Sequence, residues 1–298
     1  MPAYQVTTST QIITAPGRAG MVWIPTGAFQ MGECAFYPEE HPRREVAVAG
    51  FWIDRHPVTN EQFGRFVAAT GYVTQAEQPD IRGGMVFHAP AHVTTTRQDD
   101  TWWRWTPGAD WRHPRGTETA NLALAQHPVV QVTLADALAY GAWAGGELPG
   151  EAEWEYAARG GRQGAMFTWG NEERPNGRFM ANTWQGPFPF RNTAEDGFRW
   201  TSPVGSFPAN GYGLLDMAGN VWEWTADPYR VPTASDDGGQ ATPALHHVVK
   251  GGSFLCAPGS CFRYRPAARK PYPTSHGACD LGFRLVIRPQ TPLASDMT

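Results

Sequence analysis

The stretch Val249-Lys250-Gly251-Gly252-Ser253-Phe254-Leu255-Cys256-Ala257-Pro258-Gly259-Ser260-Cys261-Phe262-Arg263-Tyr264-Arg265 constrains this chain more than any other. It carries two of only four cysteines, in a C-x4-C spacing behind a Gly-Gly-Ser turn. Glycines let the backbone turn tightly enough for both sulfurs to converge. Thiolates are soft ligands and good nucleophiles, so the pair needs a rigid surround. The rest of the chain is suited to building one. With 33 Gly, 26 Pro and 13 Trp among 298 residues, and only 17% charged, it predicts a loop-rich, aromatic-packed globule rather than a helical bundle. An apolar and aromatic content of 41% is too high for a disordered chain.

The formal net charge of -4 gives no electrostatic case for binding nucleic acid or an anionic membrane surface. No stretch has the length of a membrane span, and Met1 to Ala15 lacks a basic segment followed by an apolar run. The expectation is a monomer in the cytoplasm with reduced thiols, since four cysteines do not make a disulfide scaffold and Cys34 and Cys279 stand alone. No composition shift marks an internal boundary. The expected layout is a flexible segment 1–20, one domain of low regular structure over 21–290, and a tail over 291–298.

From Met21 the pattern reads as two short strands around Pro-Thr-Gly, and Glu45 to Ile53 reads as another strand. Thr59 and Gln62 form a capping box, and Gly71 stops the helix they start. Residues 72 to 127 show no period. Their tryptophans, Trp102 and Trp103 among them, predict wall-forming loops. Thr133 starts a second helix with Leu134, Ala137, Leu138 and Ala144 inward. A third helix runs from Glu151 to Arg159, acidic at its start and basic at its end, as the helix dipole favours. Val231 to Ala244 reads as an inserted polar loop.

On spacing alone, Cys256 and Cys261 support three readings: a disulfide or inert thiols, a redox pair, or a metal site. Zinc is disfavoured for want of further ligands, whereas two thiolates suit Cu(I). In Gly213 to Trp224, Asp216 and Glu223 could be hard oxygen ligands. The simpler reading is a strand entered through a turn, with solvated acids. Asn182 and Asp196 could share a cation, though turn capping is the commoner use of such residues. His88 and His92 have Pro90 between them, which breaks the helix that would align their rings. Arg263, Arg265 and Arg269 could bind a peptide carboxylate or pair with core acids. No serine-hydrolase elbow or nucleotide-binding glycine loop is present.

The sequence resembles the formylglycine-generating enzymes, or sulfatase-modifying factors, from about Met21 to Val286. The resemblance rests on Phe51-Trp52-Ile53-Asp54-Arg55-His56-Pro57-Val58-Thr59-Asn60, Glu151-Ala152-Glu153-Trp154-Glu155, Gly219-Asn220-Val221-Trp222-Glu223-Trp224, Lys250-Gly251-Gly252-Ser253 and Leu281-Gly282-Phe283-Arg284. Much of this is shared with non-catalytic and sulfoxide-synthase relatives. The pair Cys256 and Cys261 is what looks like the family's catalytic pair. The resemblance implies a single irregular α+β domain of low regular secondary structure, related to C-type lectin-like scaffolds. It also implies an enzyme that uses O2 to oxidise a cysteine in a C-x-P-x-R segment of an unfolded sulfatase to Cα-formylglycine. Cys256 and Cys261 would hold Cu(I), with Ser253 lining the site. Asn182, Thr183, Asp196 and Phe198 would bind one Ca²⁺, and Asp216, Gly219, Val221 and Glu223 another. Trp102, Trp103 and Trp222 would contact the peptide. Ser260 and the segment Lys270 to Asp280 depart from the family pattern, which bears on peptide specificity. The rivals are a non-catalytic binding module on the same scaffold and an oxidase of another thiol.

Overall fold

Local hydrogen bonds set the ends of three helices. In α1 (Asn60–Thr70), the Thr59 hydroxyl accepts from Gln62 N–H at 3.2 Å while Gln62 Oε1 accepts from Thr59 N–H at 2.8 Å. Gly71 ends it in the left-handed region at φ 68°. Thr133 and Asp136 repeat the device in α2 (Leu134–Ala144). For α3 (Glu151–Arg159), Glu153 accepts from Gly150 N–H at 2.7 Å and Gly160 closes the helix. The computed structural model describes residues 18–33, 35–90, 102–117, 124–230 and 245–289. Residues 1–17 of the expected flexible segment 1–20, the expected insertion Val231 to Ala244 and the expected tail 291–298, with Cys34 and His92, lie outside the described residues.

The inward face of α2 differs from expectation. Leu134, Ala137, Tyr140 and Gly141 are buried, while Leu138 is 50% exposed and Ala144 is exposed. Leu138 stands about 100° round the helix from Ala137, outside the buried stripe.

The strands are short and change sheets often. β1 (Met21–Ile24) and β2 (Gly27–Met31) flank the expected turn. Glu45 to Ile53 is two strands, β3 (Arg44–Val48) and β4 (Phe51–Asp54), because β3 pairs with β2 and β4 with β1. The chain crosses between the sheets at Gly50, where a Cβ would come within 2.5 Å of the Trp23 ring. Within 72–127, expected to be all loop, β5 (Gly83–Phe87) and β6 (Trp103–Pro107) form an antiparallel pair. The alternation Trp103-Arg104-Trp105 is present in the sequence, but its partner strand lies beyond residues 88–102. Then come β7 (Trp222–Pro228), β8 (His246–Lys250), β9 (Lys270–Pro273), β10 (Leu281–Gly282) and β11 (Val286–Ile287). β11 joins β4 and β1. The order β10-β7-β8-β9 makes the sheet from whose β8 end the cysteine stretch departs.

Aromatic packing holds these pieces. Phe63 contacts Phe66, Trp111, Tyr140 and Phe283 at centroid distances of 5.2 to 6.5 Å. A second cluster gathers Ile24, Phe29, Phe51, Ile53 and Trp154. Buried ion pairs tie the core to the strand ends. Arg284 meets Glu223 at 2.7 Å, and Lys250 Nζ lies 3.0 Å from Glu155, which also accepts from Arg159 at 2.7 Å.

Glu155 generates a stability prediction. Burial pushes its carboxyl up, but Lys250 and Arg159 outweigh burial and hold it below the ordinary 4.5. An acid depressed on folding stabilises above its unfolded value and loses that contribution as pH falls through the folded one. Glu155→Ala is expected to cost about 3–5 kcal/mol in urea unfolding at neutral pH, since it strands two buried cations. The difference from wild type should shrink below pH 4.5. An equal difference at neutral and strongly acid pH would contradict the assignment.

Candidate active site

The site begins where β8 ends. Gly251 (φ 95°) and Gly252 (φ 70°) both lie in the left-handed region. A Cβ on Gly252 would sit 2.9 Å from Tyr264 N and Cα, so only glycine allows the two strands of this loop to pass so closely. Beyond the turn, Ser253 N–H reaches Cys256 Sγ at 3.5 Å and Cys256 N–H donates to Ser253 O at 2.9 Å. Ala257 O then accepts from Ser260 N–H at 3.1 Å and Cys261 N–H at 2.9 Å. This small loop brings Cys261 Sγ to 2.8 Å from Cys256 Sγ. Both are free thiols, Cys256 buried and Cys261 half-buried.

The two sulfurs differ electrostatically. Burial first, then the Cys261 sulfur, pushes the Cys256 thiol well above its ordinary range. Cys261 is pulled down to about 7, chiefly because the Cys256 thiol donates to it, with Arg263 and Lys270 adding to the effect against burial. In the metal-free protein the pair therefore shares one proton readily, with the negative charge on Cys261.

Ser253 is fully buried. Its Oγ donates to Asp280 Oδ2 at 2.8 Å and accepts from Leu255 N–H at 3.3 Å. Burial raises the Asp280 carboxyl, opposed by Lys270 and Ser253. The sequence reading missed Asp280, since nothing local to it signals a partner 27 residues back. The arginines after Cys261 pair with acids: Arg263 with Glu39, Arg265 with Glu40 at 3.0 Å, and Arg269 with Glu151 at 2.9 Å. Tyr37 adds a hydroxyl that accepts from Phe262 N–H at 3.0 Å.

An aromatic wall rises beside the thiols. Trp184 N–H donates to Cys256 O at 2.8 Å, and its ring packs on Phe87 and Phe188. Trp102 stands against Phe188 at 5.6 Å and Trp103 against Phe87 at 6.3 Å, both half-buried. Trp222, expected to contact peptide, is only 4% exposed and packs in the core, so it offers no open face.

The residues expected to hold calcium fall into two joined loops, bridged at Asn182 and Gly219, with Asn220 N–H donating to Asn182 O at 2.9 Å. Asn182 is fully buried, and its Oδ1 has no hydrogen-bond partner. Asp196 accepts from Thr183 N–H at 3.3 Å, Gln185 Nε2 at 2.9 Å and Phe198 N–H at 2.9 Å, and burial raises its carboxyl. Asp216 and Glu223 are buried rather than solvated. Asp216 accepts from Gly205 N–H at 2.7 Å and is pushed up to about 6 by burial. Glu223 takes Arg284 on both oxygens and Trp154 Nε1 at 2.8 Å, so its charge is already balanced. Gly219 and Val221 lie in the turn between these acids, with Gly219 at φ 68°. Among the described residues, no three His, Cys, Asp or Glu side chains converge as a metal cluster. His88 lies near Thr106, and His247 near Thr225 O.

Comparison with known proteins places this geometry. The family model of the sulfatase-modifying factor enzyme 1-like domain matches residues 8–289. The chain is 49% identical to the formylglycine-generating enzyme of Mycobacterium tuberculosis, covering 90% of this chain and 98% of that one. Identity to that of Thermomonospora curvata is 46%, covering 91% and 94%. The inactive C-alpha-formylglycine-generating enzyme 2 of Mus musculus matches at 41%, covering 89% and 84%. Among solved structures, PvdO from Pseudomonas aeruginosa superimposes with a TM-score of 0.65 at 27% identity, covering 89% of this chain and 93% of that one.

The thiol pair yields a chemical prediction for metal-free protein. Alkylation by iodoacetamide is expected to label Cys261 first, with a rate that rises through a midpoint of about 7. Cys256→Ala removes the donor, so the midpoint should move up toward the ordinary 9.0. Peptide mapping that finds Cys256 labelled first would overturn the assignment of the two sulfurs.

Proposed function

We propose, since this chain belongs to the formylglycine-generating enzyme family and is an oxidoreductase of that kind, that it oxidises the cysteine of a C-x-P-x-R segment in an unfolded sulfatase, with Cu(I) as cofactor and O2 as co-substrate. The observation that carries this is the pair of free thiols 2.8 Å apart. Family membership alone would not suffice, because relatives named inactive also match. The pair fits a soft monovalent ion: two sulfurs converge, one already inclined to ionise, and among the described residues no third His, Cys, Asp or Glu joins them in a cluster. Copper, when bound, supplies one-electron chemistry with O2 that the side chains lack.

The chain's own contribution is positional. Cys256 and Cys261 would hold the ion. The Ser253–Asp280 hydrogen bond fixes the turn that carries Cys256. Trp102 and Trp103, with Trp184 and Phe188 behind them, would wall the approach and exclude water from it. The roles proposed here call on residues of a single chain, and a monomer is the proposed working form. The three described cysteines are free, which suits a reducing compartment such as the cytoplasm. Among the described residues, no helix is long and apolar enough to cross a membrane.

Calcium is the second proposed cofactor. The unpartnered Asn182 Oδ1 beside Asp196, Thr183 and Phe198 fits a hard cation well. At Asp216, Gly219, Val221 and Glu223 the fit is weaker, because Arg284 already balances Glu223. Calcium there would share that carboxylate with a guanidinium.

Incubating the protein with Cu(I), O2 and a C-x-P-x-R peptide should convert the peptide's cysteine to the aldehyde, read by mass. Cys256→Ser and Cys261→Ser should each abolish this while leaving the fold intact. A near-native rate from either variant would refute a two-thiolate site. Removing calcium from calcium-loaded protein should lower its melting temperature, the bound ion being worth about 2.7 kcal/mol at a hundredfold excess over its dissociation constant. Asn182→Ala should shrink that response. An unchanged melting point after verified calcium removal would argue against the calcium sites.

A further inference from the structure

The chain has two lysines, Lys250 and Lys270, and all its other Lys/Arg positions are arginine. They flank the cysteine stretch and live in different surroundings. Lys250 is buried and paired, 3.0 Å from Glu155 and 3.8 Å from Glu151. Lys270 opens β9 opposite Val249 and is half-buried. Among the described residues, no carboxylate oxygen lies within 4.0 Å of its ammonium. The ammonium stands instead 5.8 Å from the ring centre of Trp222 and 5.8 Å from that of Tyr272.

Trp222 and Tyr272 belong to the packed cluster that also holds Cys256 and Cys261, so this positive charge lies on the same cluster as the thiols. Trp222 N–H donates to Asp280 O at 2.8 Å, and the Asp280 side chain holds Ser253. Lys270 is close enough to act electrostatically on both Cys261 and Asp280. The neighbouring arginines Arg263, Arg265 and Arg269 are each neutralised by a glutamate. A half-buried cation with no carboxylate in contact is unfavourable: Asp280 acts on it only from beyond 4.0 Å, and two aromatic faces offset only part of the cost. Lysine, a compact point charge with three freely rotating donors, can turn toward an incoming anion without a planar fork to satisfy.

We propose that Lys270 is a substrate-positioning residue whose ammonium receives the thiolate of the peptidyl cysteine beside Cys261. The proposal rests on the reading that the substrate is a peptidyl cysteine. Two protein thiolates and a third from the substrate carry two more negative charges than one monovalent ion balances, and Lys270 offsets one of them. In this step the substrate S–H bond breaks, the proton passes to solvent, and no electrons are transferred.

The test measures binding without turnover. Copper-loaded wild type, K270M, K270Q and K270R are titrated without O2 against a C-x-P-x-R peptide and against the same peptide with serine for cysteine. K270M and K270Q should each weaken the cysteine peptide about tenfold or more, the scale of a lost charge-assisted contact. The serine peptide should bind all four proteins within about twofold, which also reports that the variants are folded. K270R, which keeps the charge, should lie within about threefold of wild type for the cysteine peptide. Equal losses for both peptides, or none for the cysteine peptide, would overturn the role. Admitting O2 to wild type separates the two readings. If no aldehyde forms while the thiol preference still depends on Lys270, the reaction is misassigned and the binding role stands. If aldehyde forms and neutral variants bind the cysteine peptide normally, the reverse holds.

Discussion

Two sulfur atoms 2.8 Å apart, one buried and one half-buried, are the constraint around which this molecule is organised. The first proton leaves such a pair easily, because the remaining thiol donates to the new thiolate. The second does not, because two like charges would then share a dry site. A soft monovalent cation resolves the conflict by taking the place of the second proton. Holding the sulfurs at that separation requires the backbone to reverse within a few residues. Gly251 and Gly252 achieve this in a conformation that residues with a side chain rarely adopt, and at Gly252 a Cβ would also meet Tyr264 at 2.9 Å.

Such a loop would unwind if its ends were free, and buried charge holds them. Lys250, just before the glycines, is paired with Glu155 of α3. Arg265, just after the second cysteine, is paired with Glu40 from the N-terminal part of the chain. Arg284 joins Glu223 to the turn around Asp216. Buried pairs of this kind are weak sources of net stability, because desolvation takes back most of the attraction. Their effect is that any other arrangement strands a charge, and this selects one register for strands that are otherwise very short.

The same logic explains why so irregular a chain is ordered. Asn220, fully buried at φ 60°, accepts from Ser202 N–H and Asn182 Nδ2 and donates to Ser202 O. Gly219 N–H reaches Gly251 O, and Phe254 N–H reaches Asn220 O. Loops thus satisfy one another's backbone groups where a regular sheet would have done so. The thiol loop, the Asn182 loop and the β7 entry are therefore one hydrogen-bonded unit, and a cation bound at Asn182 would stiffen the floor beneath Cys256.

Helix ends were legible in the sequence because a cap links residues close in the chain: Thr59 with Gln62 at the start of α1, Gly71 at its end, and Thr133 at the start of α2. The cysteine pair and the family resemblance were legible for the same reason, being carried by contiguous residues. Tertiary packing alone decided what lay opposite each residue. It exposed Leu138, buried Trp222, and gave β6 a strand partner beyond residues 88–102. It chose acids over ligands as partners for Arg263, Arg265 and Arg269. It set Asp280 against Ser253 and left Lys270 over the Trp222 ring with no carboxylate in contact. Those outcomes depend on distances between residues tens to hundreds of positions apart, and a burial or charge pairing of that range leaves no local pattern in the residues that make it.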